Sequence, residues 1–581
     1  MSVGGRIDRG ATLRFMFNGR RYEGHGGDTL ASALLANGVT LIARSWKYHR
    51  PRGIVGSGVE EPNAIVQLET GARTVPNARA TEVALYDGLV ARSVNAWPSV
   101  DFDLMAVSGL FARFMPAGFY YKTFMWPKRF WMQYEHFIRK ASGLGTAPAA
   151  ADPDTYDKMN VHCDVLVAGG GPAGLAAAWA AGRAGARVIL ADEQSEFGGS
   201  LLRERINGAG DGDPMRCSID GAAPMAWVAQ MIAELTAMPE VRLLPRSTVF
   251  GYHDHNFLTI AERRTDHLPS SQRNGARERL WRVRAKQVVL ATGAIERPLV
   301  FANNDRPGIM LASAVSAYLN RYGVRMGSRA VVFTNNDGAY RSALDLAEAG
   351  IPVAAVVDVR GEPRGALAER ARNAGIKVIA NAVVVDADGG KRVRAVRVMA
   401  LDAQGRGAVG PATVIPCDLL AVSGGWSPVV HLHAQSGGRA RYDDNKACFV
   451  PGVSVQAERS VGACNGSFAL GECLAEGVAA GAEAAGLAGV GDTAVPRAPA
   501  ARDVAEAPLM PVWVVPSAAP ISRGPKQFVD LQNDVTAADI TLAAREGYRS
   551  IEHVKRYTAL GFGTDQGKLG NINGMAILAQ T

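Results

Sequence analysis

Three glycines, Gly169, Gly171 and Gly174, stand as G-x-G-x-x-G directly after an apolar run, Val165 to Ala168. The run is short, apolar and bounded by turn glycines, which predicts a buried strand. This spacing suits the gripping of a diphosphate. Gly169 permits the tight turn, Gly171 lets backbone approach a pyrophosphate, and Gly174 lets the next helix pack closely on the strand. Leu175 to Ala184, rich in alanine, reads as an amphipathic helix whose free N–H groups point at the phosphates. Gly185 stops it, and Arg187 to Ala191 form a second strand ending in Asp192-Glu193. Asp192 falls about 18 residues after Gly174, where a dinucleotide-binding unit places the acid that accepts from the adenosine ribose hydroxyls. A carboxylate there repels a 2′-phosphate, so NAD or FAD is favoured over NADP. Gly198-Gly199 complete the pattern.

Other reactive side chains are dispersed. The six cysteines, Cys163, Cys217, Cys417, Cys448, Cys464 and Cys473, form no C-x-x-C pair, which predicts a reduced compartment and neither metal site nor disulfide framework. His162, His253 and His255 sit in polar surroundings and read as solvent-exposed. No catalytic constellation and no metal-ligand set is expected. The chain has 581 residues, 48% hydrophobic and 20% charged, with formal net charge +8. That length predicts several domains with a large core. The basic residues are spread out, so a nucleic-acid partner is not expected. The opening MSVGGRIDRG has no apolar core and no run of about 18 apolar residues occurs, which predicts neither signal peptide nor membrane span, and a cytoplasmic location.

The elements that must position the glycine motif follow in order. Residues 1–100 read as a β-grasp: Thr12 to Phe17, an Asn18-Gly19 hairpin, a return strand from Arg21, then Asp28 capping a helix, Thr29 to Asn37. Plant-type ferredoxins share that order and carry a Cys-rich loop next. Here the loop Arg50 to Ala64 has no cysteine, so a cluster-free scaffold is expected. Residues 101–160 crowd aromatics (Phe111, Phe114, Phe119 to Tyr121, Phe124 to Trp126, Phe130-Trp131) and read as a helical connector. Core or domain-docking surface is the favoured reading, and a subunit contact or channel wall the sharper one. The dinucleotide-binding domain is expected at 161–326 and 401–494, with an inserted nucleotide-type subdomain at 327–400.

Within it, Val241 to Val249 reads as a strand that sets Val249 against adenine. Ala285 to Leu290 is a strand leading to Ala291-Thr292-Gly293, a turn of small residues closing over the dinucleotide. Gly471-Glu472, before an Ala/Gly-rich helix Glu476 to Gly489, are placed by the pyrophosphate. The loop Thr334 to Ala339 lacks G-x-G-x-x-G and reads as a structural remnant. Residues 495–527 form a Pro/Ala-rich linker, with Met510 to Val515 along another domain, and 528–570 a small helical domain with a capping box at Thr536 and Asp539. The fold class is α/β: a Rossmann-like two-dinucleotide-binding fold with an N-terminal β-grasp and a small C-terminal helical domain.

Together, Tyr48 to Gly53 (YHRPRG), Gly118 to Thr123 (GFYYKT), the Gly169 motif, Ala291 to Pro298 (ATGAIERP), Phe528 to Thr536, Arg556 to Thr558 and Gly561 to Lys568 resemble the alpha subunit of heterotetrameric sarcosine oxidase. The resemblance implies oxidative demethylation of sarcosine to glycine, formaldehyde or methylenetetrahydrofolate, and hydrogen peroxide, in a complex with beta, gamma and delta subunits. It implies FAD in the beta subunit, FMN at the alpha/beta interface, and NAD in this chain, touched by Ala173, Asp192, Glu193, Gln194, Ser200, Val249, Ala463, Phe468 and Leu470. It also likens 528–570 to a BFD-like 2Fe-2S domain. There Asp530, Gln532 and Asp565 stand where related subunits have thiolates, so no cluster is expected. Full alpha subunits of the family continue into a folate-binding aminomethyltransferase-like domain, which 571–581 is expected to begin. A fragment, a truncated reading frame or half of a split subunit is expected, unable to bind tetrahydrofolate alone. The alternatives are a stand-alone FAD/NAD-dependent amine or imino-acid dehydrogenase and a non-catalytic scaffold with a structural dinucleotide.

Overall fold

The computed structural model describes residues 4–119, 126–141, 143–205, 217–402, 404–491, 495–517 and 519–581. A five-stranded sheet opens the chain, in the order Arg20–Gly26, Asp8–Phe17, Val90–Ser93, Ile65–Leu68, Val75–Arg79. Asn18 and Gly19 both take positive φ, as a two-residue hairpin turn requires. Phe15 and Phe17 bury against Leu30 and Leu34 of the helix Leu30–Ala36. Thr29, and not Asp28, caps that helix. Its hydroxyl accepts from Ser32 N while Ser32 Oγ accepts from Thr29 N. Asp28 instead accepts from Ser32 Oγ and His25 N.

The central sheet has seven strands. Val188–Ala191, Tyr156–Ala168, Glu278–Leu290 and Glu458–Ser460 lie parallel, with Ala191, Ala168, Leu290 and Ser460 in register at their carboxyl ends. In parallel α/β sheets that edge is where ligands bind. Val241 to Val249, expected as one strand, is two. Val241–Leu244 joins the parallel set, Arg246 takes positive φ, and Ser247–His253 starts an antiparallel meander with Phe257–Arg263. The motif helix, Pro172–Arg183, packs on Leu470–Leu487 at backbone distance. A Cβ on Gly477 or Gly481 would fall 2.2 Å from Ala173 O or 2.1 Å from Ala177 O. The second of these helices starts six residues before Glu476, where it was expected to begin, because Leu470, Cys473 and Leu474 extend its buried stripe.

A second parallel sheet runs Ile309–Leu311, Leu419–Ser423, Ala330–Thr334, Val353–Asp358, Val378–Ile379. It draws strands from both sides of 327–400. From the following segment, Met510 N donates to Asn335 O and Val515 N to Val300 O. In the last unit Thr536 and Asp539 form the capping box of Ala537–Arg545. Ile577, on the helix Asn571–Gln580, shares a core there with Val529, Ile540 and Val554.

Arg52, 1% exposed, joins three units: it pairs with Asp305 and Asp534, donates to Leu531 O, and stacks on Phe528. Burial alone would raise the Asp305 pKa, but Arg52 and Arg50 outweigh it and bring it down to about 2.

The aromatic connector, expected as core or domain-docking surface, packs Ala112 and Met115 against the first core but leaves other apolar side chains in solvent. Phe102, Leu110, Phe111, Phe114, Trp126 and Met132 are exposed. Tyr120, Tyr121, Phe124 and Met125 lie outside the described residues, as does the polar loop after Gly199 from 206 to 216.

Candidate functional site

A cavity of about 1160 Å³ opens along the carboxyl edge of the central sheet. Gly169, Gly171, Ala173, Gly199 and Ser200 form its floor. Gly169 holds φ +106°, and a Cβ there would meet Ala291 O at 2.3 Å, so only glycine makes this turn. Gly199 and Gly171 abut, with a Cβ on Gly199 falling 2.7 Å from Gly171 Cα. This leaves a backbone-lined trough at the start of the helix Pro172–Arg183. Gly174 does not line the cavity. Its lack of a side chain lets the helix press on the strand, since a Cβ would lie 1.8 Å from Gly169 O.

Asp192, Glu193, Gln194 and Val249 form one end. Asp192 is held by two backbone amides, Gly170 N at 2.6 Å and Gln194 N at 2.8 Å. The first ties the acid to the glycine turn itself. Burial raises the Asp192 pKa against those bonds and the Arg321 charge. Burial, then Glu82, Asp192 and Glu60, push the Glu193 carboxyl to about 8. Arg321 also fixes Gln194, donating to its Oε1 at 2.6 Å.

Ala291, Thr292 and Gly293 line the cavity beside the glycine turn, where Ala291 N donates to Ala168 O at 2.8 Å and Thr292 Oγ1 to Val429 O at 2.8 Å. Ala463, Phe468 and Leu470 also line it. Gly471 and Glu472 do not. Glu472 lies in the first helical turn, and the free amide of Leu470 is already taken by Asp503 Oδ2 at 2.7 Å. The two were expected beside the pyrophosphate; they follow Leu470, which does line the cavity. His162, His253 and His255 are exposed and off the cavity.

Local pattern missed the walls supplied by other units. Ser57, Gly58, Val59, Glu60, Arg79 and Glu82 come from the first domain, Gln566 and Lys568 from the last. His431 lines the cavity too, its pKa lowered by burial and then by Lys568. Nothing in their local sequence marks them, because only tertiary placement brings them there. The loop Thr334 to Ala339 is closed by its own chain. Asp337 pairs with Arg360 at 2.7 Å and accepts from Ala507 N at 2.7 Å. Among the described residues no group of three or more His, Cys, Asp or Glu could hold a metal, and no helix is long and apolar enough to cross a membrane.

The trough and the amide-held acid fit a dinucleotide: backbone at close range for phosphates, and carboxylate oxygens at one end for ribose hydroxyls. Comparison with known proteins agrees with this geometry. The chain is 45% identical to sarcosine oxidase subunit alpha of Rhizobium meliloti (strain 1021), over 99% of this chain and 56% of the relative. It is 40% identical to the protein of the same name from Corynebacterium sp. (strain P-1), over 100% of this chain and 54% of the relative. The chain thus spans about half the length of the curated relatives it matches. L-proline dehydrogenase from P. horikoshii has the same fold, with a TM-score of 0.63 at 18% identity over 99% of this chain and 93% of that one.

Residues 524–581 match the sarcosine oxidase A3 domain, so the helix Asn571–Gln580, expected to open a further domain, falls inside that match. Residues 10–96 match the 2Fe-2S iron-sulfur cluster binding domain. That description names a cluster, whereas the expectation of none rests on there being no cysteine before Cys163. The pyridine nucleotide-disulphide oxidoreductase model matches residues 163–484, more than half of the chain and all of the glycine floor from Gly169 to Ser200, and the chain belongs to that family.

Proposed function

We propose that this chain is the NAD-binding alpha-type component of a complex that oxidatively demethylates sarcosine to glycine, formaldehyde or methylenetetrahydrofolate, and hydrogen peroxide. The single observation that carries the dinucleotide reading is the abutment of Gly171 and Gly199 beneath an acid held by Gly170 N. Gly169, Gly171, Ala173 and Ser200 would hold the diphosphate. Asp192, Glu193 and Gln194 would hold the adenosine ribose, with Val249 beside the base. Ala291 to Gly293, Ala463, Phe468 and Leu470 would enclose the rest. A nicotinamide dinucleotide bound there supplies hydride-transfer capacity or, without turnover, a rigid strut between units. The names of the relatives support sarcosine as substrate. No acid/base pair of this chain is assigned to the oxidation. We place FAD in a beta-type partner, FMN where this chain meets it, and gamma- and delta-type subunits in the same assembly.

Co-expression with candidate beta, gamma and delta subunits tests the reading. Sarcosine-dependent peroxide production by the assembled complex, lost without this chain, is the expected result. Full activity without this chain would overturn it.

A further inference from the structure

The loop 55–64 is built around an anion of its own. Glu61 is fully buried, and its Oε2 accepts from Val55 N and Gly56 N, both at 2.7 Å. Its Oε1 accepts from Asn63 N at 2.7 Å and Ala64 N at 2.9 Å. The adjacent Glu60 takes the next two amides, Ser57 N at 2.7 Å and Gly58 N at 3.0 Å. Among the described residues no cationic side chain pairs with Glu61. Its charge is met by backbone dipoles alone, an arrangement that protein loops otherwise use to hold a bound anion or cluster. The loop's outward carbonyls are tied down as well: Leu311 N donates to Val55 O, Tyr318 Oη to Gly56 O and Thr81 Oγ1 to Gly58 O. The stretch so shaped, Ser57 to Glu60, is one wall of the cavity, and Glu60 there contributes to the field at Glu193.

We propose that Glu61 is an internal anion that replaces a metal cluster at the centre of this loop, and is thereby a positioning residue for the dinucleotide site. The inference rests on the dinucleotide reading for its second half only. Removing the carboxylate leaves four converging N–H groups without their acceptor, and the wall loses its shape before the sheets do.

The test uses the full chain, its Glu61→Gln variant and its Glu61→Asp variant. At about pH 8, hydrogen exchange is expected to quicken about tenfold or more in Glu61→Gln at one pair of amides, Val55 and Gly56 or Asn63 and Ala64, where the side-chain NH2 replaces an acceptor oxygen, the scale of one lost charge-assisted contact. NAD titrated into cofactor-stripped protein should bind several-fold more weakly, with a single cooperative melt retained. Glu61→Asp should recover part of both effects, and it carries the test if Glu61→Gln does not fold. Unchanged exchange at the four amides would overturn the internal anion. Quickened exchange with unchanged NAD affinity would overturn the positioning role. Failure of wild-type protein to bind NAD would overturn the dinucleotide reading and the positioning role with it, while the exchange data still judge the internal anion.

Discussion

Asp192, half-buried at the cavity, and Glu61, fully buried, are both carboxylates held by backbone amides, yet only the first could be read from the chain. Asp192 is marked by its distance from three glycines along one strand–turn–helix, a local relation that sequence preserves. Glu61 acquires meaning when residues 55 and 64 fold back on it, which no spacing rule encodes. Its consequence is measurable in pH. Burial, against four backbone bonds, raises the Glu61 carboxyl from 4.5 to about 7. The folded protein therefore holds that proton more tightly than the unfolded chain, and the internal anion of the loop is complete only above about pH 7. The stability contributed is full below about pH 4.5 and is lost as pH rises through about 7. Urea unfolding of wild type across this window should show a fall on the order of 2 kcal/mol that Glu61→Gln flattens. Parallel profiles would rule the assignment out. Asp305 has the opposite sign: its pKa lies below the ordinary 3.8, so its contribution is present above that value and lost as pH falls through about 2.

Elements were legible where one face repeats and less so where packing partners decide. The motif helix and its strands were expected from periodicity. The early start of Leu470–Leu487 and the break at Arg246 depend on which neighbours bury them. The two long helices of the site meet through Gly477 and Gly481, so their approach should be intolerant of any side chain. Gly481→Val is expected to cost about 1–3 kcal/mol in chemical denaturation, through a Cβ forced against Ala177 O. A change below a few tenths would mean that the helices stand further apart. The exposed aromatics of the connector were legible as a cluster, but its direction was not. Hydrophobicity says that a face wants cover and leaves open whether this chain supplies it.

At the scale of the molecule, the site is a joint product of units far apart in sequence. The glycine floor is continuous, whereas Glu60, Arg79, Gln566 and Lys568 reach it from the two ends of the chain. Arg52 shows what holds those ends in place, bridging Asp305 and Asp534 with almost no exposure. Arg52→Ala leaves two buried carboxylates short of their shared counter-ion and should cost about 3–5 kcal/mol of stability by denaturant melt. A loss under about 1 kcal/mol would show that the three units do not depend on this junction.

The central claim is that a glycine trough with an amide-held acid grips a dinucleotide. Mass spectrometry of the small molecules released when the purified chain is heat-denatured tests it most directly. The account predicts NAD, near one per chain. It is contradicted if no dinucleotide is released and none is taken up when NAD is added in excess before denaturation.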